Sequence, residues 1–311
     1  MVIPIVLVAQ WYLSLFHQTF FLHRYSAHRM FTLNKFWERF FFVTTWITQN
    51  VSFLNPRAYA ILHRLHHTYS DTDKDPHSPL HNRNLFVMMW RTRLVYKKIV
   101  ERTVEVPKQF QGNYPEWNKI EEIMESNWLR LIWIGAWITF YAFFATSWWM
   151  WLFLPINLLV SPIQGAIVNW FGHKLGYQNH DNRDNSKNTT PVDVLLLGEL
   201  FQNNHHKYPV RANFATRWWE FDPVYPVMRM FDAIGIIKLK GKKRKLTEEV
   251  TQDVHAEASS TTFDIKSAKG HLRSQLPETE VSPAAAAIKS TLRDFNIHTA
   301  SGGLGSQPAV E

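Results

Sequence analysis

Long stretches of this chain carry no Asp, Glu, Lys or Arg, and they limit what it can fold into. Met1–Leu22 is one such run, long enough to cross a hydrocarbon core of about 30 Å as a helix. It lacks the basic start and small-residue cleavage site of a signal peptide, so it reads as a retained membrane helix. Leu131–His173 is another, long enough for two spans joined by a tight turn near Thr146-Ser147. Trp148, Trp149 and Trp151 beside that turn fit interfacial aromatics. Phe40–Pro56 is also uncharged, but at about 1.5 Å per residue it covers roughly 25 Å and is borderline for crossing. The fold class is therefore all-α: about three integral membrane spans plus interfacial helices.

Histidines decide between crossing and not crossing for Phe40–Pro56. His63-Arg64-Leu65-His66-His67 puts three imidazoles at i, i+3 and i+4, on one face of a helix. Neutral imidazole is a good donor for zinc, copper, iron or nickel. His23 and His28 follow the first span, but at i, i+5 a regular helix separates them by roughly 140°. They share a site only if the helix ends between them. If Phe40–Pro56 crossed, this pair and the His63 group would face opposite sides, so an interfacial or re-entrant helix is expected there. The hairpin Leu131–His173 returns the chain to the same side, where Asn169 and His173 emerge at i, i+4. Gln202, His205 and His206 then repeat the i, i+3, i+4 pattern. Eight histidines (His23, His28, His63, His66, His67, His173, His205 and His206) thus gather on one side as a helical cap. That exceeds what one ion needs, and two metals are the natural count. Asp75, in the turn Asp71–His77, is a candidate to hold a ligating imidazole through its other ring nitrogen. His17 reads as a helix-packing residue.

Charge sets the orientation. The net charge is +8 and lies outside the apolar runs. Lys and Arg are abundant on the histidine side, which places that side in the cytoplasm. Leu85–Lys98 reads as an amphipathic helix on the membrane surface. There are no cysteines, so disulfides, thiolate ligands and iron–sulfur clusters from this chain are excluded. The balance points to membrane lipids and not to nucleic acid. Residues 1–240 form the membrane-embedded domain that carries the eight histidines. Residues 241–311 are a basic linker and a polar tail expected to be mostly disordered.

The order and spacing of these histidines resemble the membrane fatty-acid desaturases, and more narrowly their delta-9 acyl-CoA and acyl-lipid group. His23–His28 matches H-x4-H, His63–His67 matches H-x2-HH, and Asn169–His173 matches the extra N-x3-H. Asp75-Pro76-His77 and Asn203-Asn204-His205-His206 look like the same family. One departure is Gln202, where the delta-9 group carries a ligating histidine. Glutamine is a weaker donor, which ligates weakly, acts through water or leaves one metal more open; Asn169 has a similar weak or water-mediated role. Another departure is a single span before the first box.

The resemblance implies two iron ions that activate O2 and, with two electrons, place a cis double bond in a long acyl chain. The substrate would be an acyl-CoA or acyl-lipid. With no thiolate ligands or convincing nucleotide-binding loop, the chain would take electrons from another protein, by resemblance a ferredoxin or a cytochrome b5-like donor. The competing readings are a hydroxylase or ketolase of the same histidine-box superfamily, and a non-redox membrane metal-binding protein.

Overall fold

The structure is a computed structural model that describes residues 1–240; the basic linker and tail expected from 241 onward lie outside the described residues. It is mostly helical. Helix α1 (Val2–His17) runs directly into a π-helical segment, Gln18–Ala27. Strand β1 (Phe31–Leu33), α2 (Lys35–Gln49), α3 (Pro56–Tyr69) and α4 (Leu85–Val100) follow. Next come α5 (Asn118–Met124), α6 (Asn127–Phe144), α7 (Leu154–Leu158) and α8 (Val160–Phe171). A long irregular segment leads to α9 (Gln202–Lys207), then α10 (Val224–Ala233) and β2 (Ile237–Leu239). Several starts are written in the sequence as side chains that accept an otherwise unpaired N–H. Asn34 accepts from Trp37, Asn55 from Ala58, Asn84 from Val87 and Ser126 from Leu129.

The apolar end of the molecule is built inside out. On α1, Val2, Ile5, Val8 and Leu13 are exposed, whereas Gln10 and Ser14 are buried. On α6, Trp128, Leu131, Ile132, Ile138 and Phe143 are exposed and only Tyr141 is buried. The buried polar groups satisfy one another across helices. Gln10 and Asn157 bond reciprocally, Tyr141 donates to Asn157, and Ser14 donates to Gln164 at 3.2 Å. Apolar surface outside and paired polar groups inside is the arrangement a helix bundle needs in hydrocarbon.

Val2–Ala27 is long and apolar enough to cross a membrane on its own. The second arm of the expected hairpin is not one helix. Trp148–Leu158 and Val160–Phe171 pass the same test only together, bent by 72°. Pro162 is the cause: it lacks an N–H, and its ring collides with the carbonyl four residues back, at Leu158. α2 begins before Phe40, and its 15 residues cover about 22 Å, short of a full span. His17 packs α1 on α2, with its ring nitrogens 2.7 Å from the Leu13 carbonyl and 2.9 Å from the Thr44 hydroxyl.

Between the bundle and the histidines lies an aromatic core that includes Phe20, Phe21, Tyr25, Phe31, Phe41, Phe42, Phe201 and Phe214. β1 and β2 pair antiparallel over it, with Phe31 opposite Leu239 and Leu33 opposite Ile237. That pairing ties the end of the described chain to the residues just after His28.

Candidate metal centre

All eight predicted histidines come together, in two adjoining groups. His23, His28, His63, His67 and His205 each bring a nitrogen within 4.8 Å of the others. The Nε2 atoms run from His23 to His205 at 2.8 Å, to His67 at 2.9 Å, to His63 at 2.9 Å and to His28 at 2.8 Å. His66, His173 and His206 form the second group by the same criterion. The groups touch where the His67 and His206 rings lie 4.4 Å apart.

The shared face expected for His63, His66 and His67 is thus divided. His63 and His67, one α-turn apart on α3, serve the five-histidine group, while His66 turns to the other. The neighbours His205 and His206 on α9 divide in the same way. Each His-His doublet supplies one ring to each group.

The first pair solves its spacing differently from the sequence expectation. The helix does not end between His23 and His28. It widens, and the His28 N–H bonds the His23 carbonyl five residues back at 3.2 Å. In that π register residues five apart stack, so both rings face one group. Arg64 locks the end of this segment to α3, donating to the carbonyls of Ala27 at 3.0 Å and Ser26 at 3.2 Å. Arg24, fully buried, pairs with Asp222 at 2.8 Å and lies over the Phe214 ring.

Four carboxylates hold four of the rings at Nδ1. Glu199 holds His23 at 2.6 Å, Asp75 holds His66 at 2.9 Å, Asp71 holds His173 at 3.0 Å and Asp184 holds His206 at 2.6 Å. Such contacts fix the ring orientation and raise the basicity of the opposite nitrogen. Of the four, Asp75 was the one named from sequence. Asp71 lies in the same turn. Asp184 and Glu199 come from the irregular segment before α9, which carries no periodic signal. That segment is itself built: Asp193 accepts the N–H groups of Leu196, Gly198 and Leu200, which brackets Glu199. Gly198 has φ +92°, and a Cβ there would lie 2.7 Å from Asp222 Oδ1. Asn203 and Asn204 turn out to be scaffold. Asn204 donates to Glu220 at 2.8 Å and to the Phe214 carbonyl at 2.9 Å, and Asn203 accepts from the N–H groups of Asn179 and His180.

Burial and the neighbouring imidazoles push His28, His63, His67 and His205 well below the ordinary histidine pKa. Burial lowers His206 to about 4 against the pull of Asp184. For His66, burial is outweighed by Asp75, and the pKa is raised. Burial also opposes charge on Asp75 and Asp184, but their imidazoles outweigh it and hold both well below the usual carboxylate range. Most rings are therefore neutral near pH 7 and keep a lone pair.

The donor set fits two metal ions. Nε2 of His66, His173 and His206 is buried with no protein partner, although Nδ1 of each ring is bonded. Five Nε2 atoms in one chain of short contacts likewise share too few protons to satisfy one another, whereas a cation satisfies them all. Gln202, at the start of α9, is buried and donates from Nε2 to the Glu199 carbonyl at 2.6 Å. Asn169 is half-buried and makes no side-chain hydrogen bond among the described residues. His77, noted in the sequence within Asp75-Pro76-His77 but not as a ligand, is buried against His66, with ring centroids 4.2 Å apart, and joins His66 and Asp75 as a third set of possible metal donors.

Comparison with known proteins places this centre in a family. A family model described as fatty acid desaturase matches residues 1–234, and the chain belongs to that family. It is 27% identical over 222 residues to an sn-1 stearoyl-lipid 9-desaturase of Synechocystis sp., covering 70% of this chain and 64% of that protein. It is 27% identical over 256 residues to an sn-1 stearoyl-lipid 9-desaturase of Anabaena variabilis, covering 78% and 86%. It is 25% identical over 230 residues to delta-9 acyl-lipid desaturase 1 of Arabidopsis thaliana, covering 72% and 71%. Members of the family are membrane-associated, O2-dependent oxidoreductases with a di-iron centre. Bound iron supplies the oxidising power to take hydrogen from an unactivated methylene, which side-chain acids and bases lack. The protein's part is to fix the imidazoles, hold their neutral form and bury the centre.

Proposed function

We propose that this chain is an acyl desaturase that introduces a cis double bond, at the delta-9 position, into a long acyl chain carried by CoA or lipid. The observation that carries this reading is the meeting of eight imidazoles from four separate segments in two adjoining groups. His23, His28, His63, His67 and His205 hold one iron, and His66, His173 and His206 hold the other. Gln202 and Asn169 act weakly or through water, and Asp75 orients His66. The delta-9 position is supported by the names of the three relatives.

The bundle of α1, α6, α7 and α8 sits in the membrane as about three spans, with the interrupted arm Trp148–Phe171 counted as one. The histidine cap faces the cytoplasm, where positive charge is retained. Electrons come from a ferredoxin or cytochrome b5-like donor, as the family resemblance implies. Expression in a desaturase-deficient host, followed by fatty-acid profiling, tests the proposal. A new cis-9 monounsaturated acid is the expected product. A new hydroxyl or keto product would assign the chain to the hydroxylases and ketolases. No product from a protein that purifies with zinc alone would assign it to the non-redox metal binders.

A further inference from the structure

The irregular segment before α9 has an apolar outer face. Val192, Val194 and Leu195 are each about half exposed, with Leu195 at 56%. Its inner side is packed: Leu196 and Leu200 are buried with Leu15 of α1 and Val168 of α8. Neighbouring apolar side chains turned outward call for a partner that water does not supply.

The depth of this face is set by α1. The Leu195 carbonyl accepts the Trp11 indole N–H at 3.2 Å. Trp11 lies between Val8 and Leu13, both apolar and exposed on the helix that is long enough to cross a membrane. From Trp11 to His23 the helix covers roughly 18 Å at about 1.5 Å per residue. Leu195 therefore lies well away from the histidines, level with the outward apolar band of α1.

Irregular backbone is tolerated at such a level only where its polar groups are met from inside the protein. Asp193, buried, accepts the N–H groups of Leu196, Gly198 and Leu200. The Pro191 carbonyl accepts the Phe221 N–H at 3.1 Å, and the Leu195 carbonyl is taken by Trp11. Leu197 and Gly198, both at positive φ, turn the chain back toward Glu199. Phe221, bridged to Val192, is half exposed, and Trp218 and Trp219 just before it are exposed beside Arg217. Tryptophan and arginine together suit the headgroup level.

We infer that residues 191–197 dip into the acyl layer of the membrane as a re-entrant loop beside α1, with Trp218 and Trp219 at the headgroups above it. The occupant of the exposed face is lipid hydrocarbon, because the face continues that of α1 and none of its outward side chains is charged. The inference rests on the membrane seating of α1 proposed above. The loop leads directly into Glu199, the carboxylate that holds His23 at 2.6 Å, so a part that enters lipid also positions a ring of the centre.

The test uses the full chain in vesicles of phosphatidylcholine and phosphatidylglycerol. The sequence has no cysteine, so one introduced cysteine carries one spin label. Val194→Cys and Leu195→Cys are compared with Val8→Cys on α1 and Lys119→Cys on α5. Each label is probed with oxygen, which concentrates in hydrocarbon, and with a water-soluble nickel chelate. Labels at 194 and 195 should match the label at 8: open to oxygen and closed to the chelate. The label at 119 should be open to the chelate. The unaltered protein supplies a second measurement that needs no variant. A carbene generated from a diazirine dissolved in the acyl layer should mark residues 191–197 as well as α1.

Labels at 194 and 195 as open to the chelate as the label at 119 overturn the inference. So do labels reached by neither probe, as contact with a second copy of the chain would leave them, or carbene marks on α1 with none on 191–197. In each of these cases the seating of α1 stands. A label at 8 that is open to the chelate brings down that seating and the loop together.

Discussion

The bundle and the metal centre are both polar inside, but by opposite means. In the bundle the buried contacts are neutral: the amides of Gln10, Asn157 and Gln164 and the hydroxyls of Ser14 and Tyr141. In the centre they are ionised or able to become so: imidazoles held by Asp71, Asp75, Asp184 and Glu199. A neutral pair costs little to bury and contributes little beyond fixing helix register. A carboxylate–imidazole pair is costly to bury and is strongly destabilising to break. The difference teaches that one end is assembled for packing and the other is strained toward a cation.

Substitutions at the two ends should separate these means. The largest effect is expected from His66→Ala, which deletes one of the rings proposed for the second ion. Product should fall below detection and iron should drop to about one per chain, while the protein stays in the membrane. Retained product would remove His66 from the ligand set. Asp184→Asn leaves the ring of His206 in place but frees its orientation. Its expected cost is about 10- to 100-fold in metal affinity, measured by chelator competition.

Acid should act most strongly on the centre. In the metal-free protein, His28, His63, His67, His205 and His206 have folded pKa values below the unfolded value of about 6.5. Below that pH the unfolded chain binds more protons, so stability falls as pH drops. His66 is shifted the opposite way and works against the trend as a single group. The depressed carboxylates Asp71, Asp75, Asp184 and Glu199 extend the loss below about pH 4. The unfolding temperature of the metal-free protein, and the iron retained by the loaded protein, should both decline between about pH 7 and pH 5. A flat profile would mean that the rings are not buried in neutral form.

The smallest effect belongs to the bundle. Asn157→Leu removes the side-chain bonds to Gln10 and from Tyr141, leaving the Gln10 bond to the backbone carbonyl of residue 157, and should cost about 1–2 kcal/mol, with iron content unchanged. Loss of iron in that variant would erase the contrast between the two ends.

Much of the centre is legible in the sequence, because ligand spacing is local. His63 and His67 share a face by helix period alone, and Asp75 lies close enough in sequence to His66 to be suspected. What is not legible depends on distance along the chain. Glu199 reaches His23 across a sequence separation of 176, and Asp71 reaches His173 across 102. No periodicity reports such pairs. Nor could spacing alone show that each doublet divides between two groups, since that depends on how α3 and α9 are rotated against each other. The interrupted arm Trp148–Phe171 was read as a continuous span because composition registers apolarity and not the missing N–H of Pro162. Gln202 was visible as a departure, but its packing on Gly172, beside His173, and its bond to the Glu199 carbonyl were not.

One rod, from Val2 to Ala27, carries Gln10 and Ser14 at one end and His23 at the other. Its two ends are therefore phase-locked. Removing a single residue between Ser14 and His23 would turn one end relative to the other by about 100°. Either the amide and hydroxyl would swing outward into lipid, or the imidazole would leave its cluster. Chain length in this stretch is thus a gauge shared by membrane seating and metal capture.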